Sequence, residues 1–123
     1  MSSLDIRQDT NILFKGPAEV RVKNEFDTDA RTYLGPDASA PNLSASQIVF
    51  YAAGTDDRGR HHDEDEDLTP TVVQIGQRNI VRANIYAPNG TVWLKGNSKA
   101  TGAFIGKRAR IGQGVELRLN SAF

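Results

Sequence analysis

The feature that most constrains this chain is an internal repeat of short apolar segments. Asn84-Ile85-Tyr86-Ala87-Pro88-Asn89-Gly90-Thr91-Val92-Trp93-Leu94 aligns with Ala103-Phe104-Ile105-Gly106-Lys107-Arg108-Ala109-Arg110-Ile111-Gly112-Gln113 at a shift of 19, so that Ile85 meets Phe104 and Val92 meets Ile111. The same shift backwards sets Val73-Gln74-Ile75 under Val92-Trp93-Leu94. Val49-Phe50-Tyr51-Ala52 matches Asn84-Ile85-Tyr86-Ala87 at a shift of 35, which returns to 19 once the 16 polar residues Thr55 to Pro70 are removed. A weaker echo sets Leu13-Phe14-Lys15-Gly16 against Trp93-Leu94-Lys95-Gly96, before a second insertion at about 24–45.

The repeated segments are three to five residues long and rich in β-branched and aromatic side chains. Pro-Asn-Gly, Gly-Asn-Ser and Gly-Gln-Gly separate them, turn chemistry that helices reject. Helical solenoids are thereby excluded. A strand that recurs once per unit, with glycine at the bends, stacks on its own copy one turn earlier at about 4.8 Å per turn. The expected fold is all-β: one domain over residues 1–123, a short parallel β-solenoid of three to four turns with insertions at about 24–45 and 55–70. Ile85, Val92, Leu94, Phe104, Ile111, Val115 and Leu117 are its expected inward ladder, and Leu119 and Phe123 its expected lid. A right-handed coil is favoured; aliphatic residues six apart at Ile105, Ile111 and Leu117 keep a left-handed hexapeptide coil as the alternative.

The pattern Ile85-Tyr86-Ala87-Pro88-Asn89, followed one turn later by Gly102-Ala103-Phe104-Ile105-Gly106-Lys107, resembles the β-helix modules of bacterial surface and pilus-associated proteins. More distantly it resembles the polymer-forming bactofilins. The likeness covers residues 71–123 well and 12–54 loosely, and it implies a stalk or assembly element with no catalytic residues to carry over.

Composition narrows the chemistry. With no cysteine there is no disulfide, thiolate metal site or thiol nucleophile, and no apolar run reaches the length of a membrane span. Both histidines lie in one polar insertion, away from any serine on a strand, so a nucleophile with its base is not expected. No phosphate loop is present, and the chain reads as a non-enzyme without a cofactor. Within that insertion, His61, His62, Asp63, Asp65 and Asp67 are the candidate ligands for a divalent cation, weighed against a solvated charged loop.

Fifteen basic and fifteen acidic side chains cancel over the whole chain, but from Lys95 to Arg118 six bases face Glu116 alone. Lys95, Lys107, Arg108 and Arg110 are the candidate contacts for an anionic polymer such as a polysaccharide. Nucleic acid is not expected, since interleaved aromatics for base stacking are missing. The same cations would also keep a solenoid soluble and blunt its edges. The leading expectation is a structural or assembly module that contacts itself, or the rest of a longer chain, through its open ends; the alternative is a binding module. Extracellular or cell-envelope placement is expected if the chain is a fragment, and cytoplasmic placement if Met1 is its natural start.

Overall fold

The computed structural model describes residues 3–55 and 72–123. The described chain is all-β, with no α-helix, and every strand pair is parallel. In chain order the strands are β1 (Leu4–Ile6), β2 (Asn11–Phe14), β3 (Ala18–Val22), β4 (Phe26–Thr28), β5 (Tyr33–Pro36), β6 (Ile48–Ala52), β7 (Val73–Ile75), β8 (Ile80–Arg82), β9 (Asn84–Leu94), β10 (Lys99–Gly102), β11 (Phe104–Ile111) and β12 (Glu116–Leu119). They form a seven-stranded sheet and a five-stranded sheet, the latter in the order β12-β10-β8-β5-β2. The long strands β9 and β11 bend: their first halves extend the run β3-β6 and their second halves the run β1-β4-β7. The chain therefore visits the same three runs of strands in the same order, turn after turn, an arrangement consistent with the coiled fold expected above.

Much of the repeat alignment is reproduced strand for strand. Val73 lies on Val92, Phe50 on Ile85 and Ile85 on Phe104. Three expectations need correction. Val92 faces Ala109 and not Ile111, because β9 spends Pro88-Asn89-Gly90 on its bend where β11 spends Lys107 alone, which slips the register by two. Leu13 pairs with Gly35 in the five-stranded sheet, whereas Trp93 belongs to the other sheet, so their likeness is not a structural repeat. The stretch 24–45 contributes β4 and β5, with Phe26 fully buried; its longest segment outside the strands is 37–44, before a 3₁₀ turn at Ala45–Gln47. The other insertion, at 55–70, lies outside the described residues beyond Thr55.

What recurs faithfully is one bend. Between the first and second strand of each turn sits a residue with positive φ: Asp9, Arg31, Arg78, Asn97 and Gly114. The amides of the first four donate to the carbonyls of Ala30, Gln77, Gly96 and Gln113 one turn on, at 2.9–3.2 Å. Behind each follows Thr10, Thr32, Asn79, Ser98 or Val115. In the middle turns these residues satisfy buried backbone: Asn79 Oδ1 accepts from the Thr32 amide at 3.0 Å, and Ser98 Oγ donates to the Gly76 carbonyl at 2.8 Å. A left-handed backbone costs little for Asn or Gly, and the recurrent interstrand bond offsets it at arginine. Gly102 has a different necessity, since a Cβ there would collide with the Ala83 carbonyl oxygen.

The core is a column. Phe26 stacks on Phe50 with centroids 4.9 Å apart, Phe14 meets Phe50 edge-on at 6.0 Å, and Ile48, Val73, Ile75, Val81, Ile85, Val92 and Leu94 continue the column fully buried. The strands bury these alternate residues and present the intervening ones outward, as the twofold period of a strand demands.

Candidate functional site

The two ends of this column differ in chemistry, and that difference is the candidate site. Along the outer surface of the run β1-β4-β7-β9-β11, register aligns Asp5, Asp27, Gln74, Trp93 and Arg110 in one row. Acid occupies its first two positions. Partial burial pushes the Asp27 carboxyl up to about 6, and the neighbouring negative charges of Glu25, Asp5 and Asp29 add to the rise, while Lys95 opposes it. At the other end, the Arg110 guanidinium sits 4.1 Å from the Trp93 ring centroid and Lys95 Nζ sits 4.9 Å from it, so the indole holds two cations.

The last turn also leaves apolar surface uncovered. Val92, Leu94, Phe104, Ala109, Ile111, Leu117 and Leu119 line a hollow of about 580 Å³. Ile111 is 52%, Leu117 51%, Leu119 84% and Phe123 53% exposed, so two expected ladder residues and both residues of the expected lid stand open. The reason is positional: among the described strands, nothing pairs with the far side of β12 or of the second half of β11. Phe104 and Val115 are half-buried against the core, as expected of inward residues. In the first turn, by contrast, Ile6 and Val22 are buried and Leu4, Ile12, Phe14 and Val20 half-buried.

Nor does the C-terminal tail cap the hollow. Asn84, fully buried, donates from Nδ2 to the carbonyls of Ala45 at 2.9 Å and Asn120 at 3.0 Å, and its Oδ1 accepts from the Ala122 amide at 2.8 Å. That anchor draws the tail along the flank of the molecule, where the Phe123 ring packs on Tyr86 at 5.7 Å. Tyr86 in turn meets Tyr51 edge-on, and the Arg21 guanidinium covers Tyr51 at 4.6 Å.

Of the four cations singled out for polyanion contact, Lys95 and Arg110 converge on Trp93, while Lys107 and Arg108 are exposed where β11 bends. Lys99 and Arg118 project from the other sheet, so the six bases of this stretch do not share one face. His61, His62, Asp63, Asp65 and Asp67 lie outside the described residues; among those described, no cluster of metal-ligating side chains forms. No helix among the described residues is long and apolar enough to cross a membrane. Sequence reasoning overlooked the acid-to-cation row and the role of Asn84. The row was open to discovery through the register Val73 on Val92, which places Gln74 beside Trp93. Comparison with family models, with curated proteins and with solved structures found no match.

Proposed function

We propose that this chain is a non-catalytic structural module, a short right-handed β-solenoid that stacks head to tail on copies of itself, as a bacterial surface or filament-forming protein would. Right-handed crossovers are what twisted parallel strands favour. The observation that carries the reading is the unlikeness of the ends on one row: Asp5 and Asp27 at the first turns, Arg110 at the last, beside an uncovered apolar hollow. A second copy laid on β11 and β12 would cover Ile111 and Leu117, continue the parallel pairing, and bring Arg110 to Asp5. Unlike ends that fit each other make a head-to-tail contact, and repeated along the axis of the coil, where it does not close into a ring, such a contact gives a filament.

Sedimentation velocity and electron microscopy of the purified chain, over a concentration series at low salt, test this. Assemblies that lengthen with concentration are expected. Asp5→Arg and Arg110→Asp should each shorten them, and the double variant should restore them. A chain that stays monomeric throughout the series, or single variants that assemble like the parent, would contradict the proposal.

A further inference from the structure

Beyond self-assembly, the outer surface of the five-stranded sheet forms a groove of about 980 Å³. Its floor is sheet and its wall is the segment that follows β5, with Asp37, Pro41 and Leu43 on the groove side. The wall is built, not loose. Ser39 donates its amide to Asp37 Oδ1 at 2.8 Å, the Ala40 and Leu43 amides donate to the carbonyls of Asp37 and Ala40, and the base is tied by the bond from Asn84 to Ala45.

Tyr33 defines the floor. A Cβ on Gly35 would press on the Tyr33 hydroxyl and ring carbon and on Arg82 Cβ, so the ring lies across Gly35 in space that only glycine leaves free. The hydroxyl donates to the Pro36 carbonyl at 2.8 Å, which holds the ring in place. One row further on, register aligns Arg82, Thr101 and Arg118, and Lys99 sits beside Glu116. The two arginines are thus two strands apart in the sheet, roughly 10 Å between their Cα atoms, with Thr101 between them. Arg82, Lys99 and Arg118 are exposed, and none has an ion pair among the described residues.

We propose that this groove binds a linear acidic polysaccharide. The ring face of Tyr33 is a platform for the apolar face of a sugar ring. The paired guanidinium forks suit carboxylates that recur along a polymer. Asp37, Glu116 and Thr101 accept or donate to its hydroxyl groups. A peptide strand has no such fit, because the floor's backbone groups are spent within the sheet and cannot extend it. The inference does not rest on head-to-tail stacking, since every residue it uses belongs to one copy.

Isothermal titration of the full chain with a galacturonic acid oligomer provides the test, with a neutral glucose oligomer and polyglutamate as comparison ligands. The acidic oligomer is expected to bind with an affinity that falls as salt rises. Tyr33→Ala and Arg118→Gln should each weaken it about tenfold, while Lys23→Gln, remote from the groove, leaves it within about twofold. Should Tyr33→Ala fail to fold, the pair Arg82→Gln and Arg118→Gln on the exposed surface carries the same expectation. The proposal is overturned by absence of binding, by equal affinity for the neutral oligomer or for polyglutamate, or by groove variants that bind like the parent.

Discussion

The first and last turns are built from the same runs of strands in the same order, yet along the outward row the first carries Asp5 where the last carries Arg110, and the inward apolar side chains of the first are covered where Ile111, Leu117 and Leu119 of the last stand open. Ile6 and Val22 are buried where Ile111 and Leu117 are half open. A stack of this kind is thus not uniform along its axis: the middle turns carry stability, and the end turns are free to carry recognition. The largest test of that division is a pair of truncations. Phe50, held between Phe14 and Phe26, should cost about 4 kcal/mol as Phe50→Ala, whereas Ile111→Ala should cost less than about 1 kcal/mol in dilute solution, both read by denaturant unfolding. Comparable losses at the two positions would erase the distinction between middle and end.

The flank sharpens the same comparison. Asn84→Ala abandons the Ala45 and Asn120 carbonyls and the Ala122 amide together, and a loss of about 2 kcal/mol is expected, with faster proteolysis at residues 120–123. A variant that keeps the parental stability and cleavage rate would show that the tail is not held by this side chain.

The acidic end answers to pH. Folding raises the Asp27 carboxyl from 3.8 to about 6, so the native chain binds that proton more tightly than the unfolded one, and this group's contribution to stability falls as pH rises from about 4 through 6. Asp27→Asn removes the penalty. Because the side chain is only half-buried, a gain of about 1 kcal/mol is expected near pH 7.5 and almost none near pH 4, measured by thermal unfolding at both. An equal effect at the two pH values would exclude Asp27 as the cause. Cations brought against the acidic end lower the carboxyl's pKa, so the proposed assembly would release protons and should strengthen as pH rises through about 6. Assembly that is indifferent to pH across that range would separate the ends' charge from their association.

Much of this architecture was legible in the repeat, and its failures are instructive. The pairs Phe50–Ile85, Val73–Val92 and Ile85–Phe104 follow from apolar spacing because both members sit inward in adjacent turns. A constant turn length was the wrong invariant. Measured along the first strands, successive turns run from Leu4 to Phe26, Val73, Val92 and Ala109, so 19 residues hold for one turn only. The constant element is the bend at Asp9, Arg31, Arg78, Asn97 and Gly114, whose residue types share little because its requirement is a backbone angle and an interstrand bond, not a side chain. Its trace is the Thr, Thr, Asn or Ser that follows in the first four turns. Aligning on Thr10 and Ser98 places Ile12 over Ala100, the correct sheet, where aligning Leu13 on Trp93 does not. The candidate site was less visible still, since Asp27 and Arg110 are 83 positions apart and meet only as members of one outward row. Tyr33 and Gly35 gave no signal beyond an ordinary strand, as the pairing of Tyr33 with Ile80 and the approach of Arg82 to Gly35 depend on a turn whose length was misjudged.

Amide hydrogen exchange across β11 and β12 tests the central claim most directly, because the edge amides of the last turn become paired only when another copy lies on them. At low salt and neutral pH, the outward-facing amides of residues 108–119, those not bonded to the turn below as Gly112 and Glu116 are, should exchange rapidly in dilute solution and slow markedly as concentration rises, while the amides of β7 and β9 stay slow throughout. Exchange at those outward-facing amides that is already slow in the dilute monomer, or that remains fast at the highest concentration, would contradict the account.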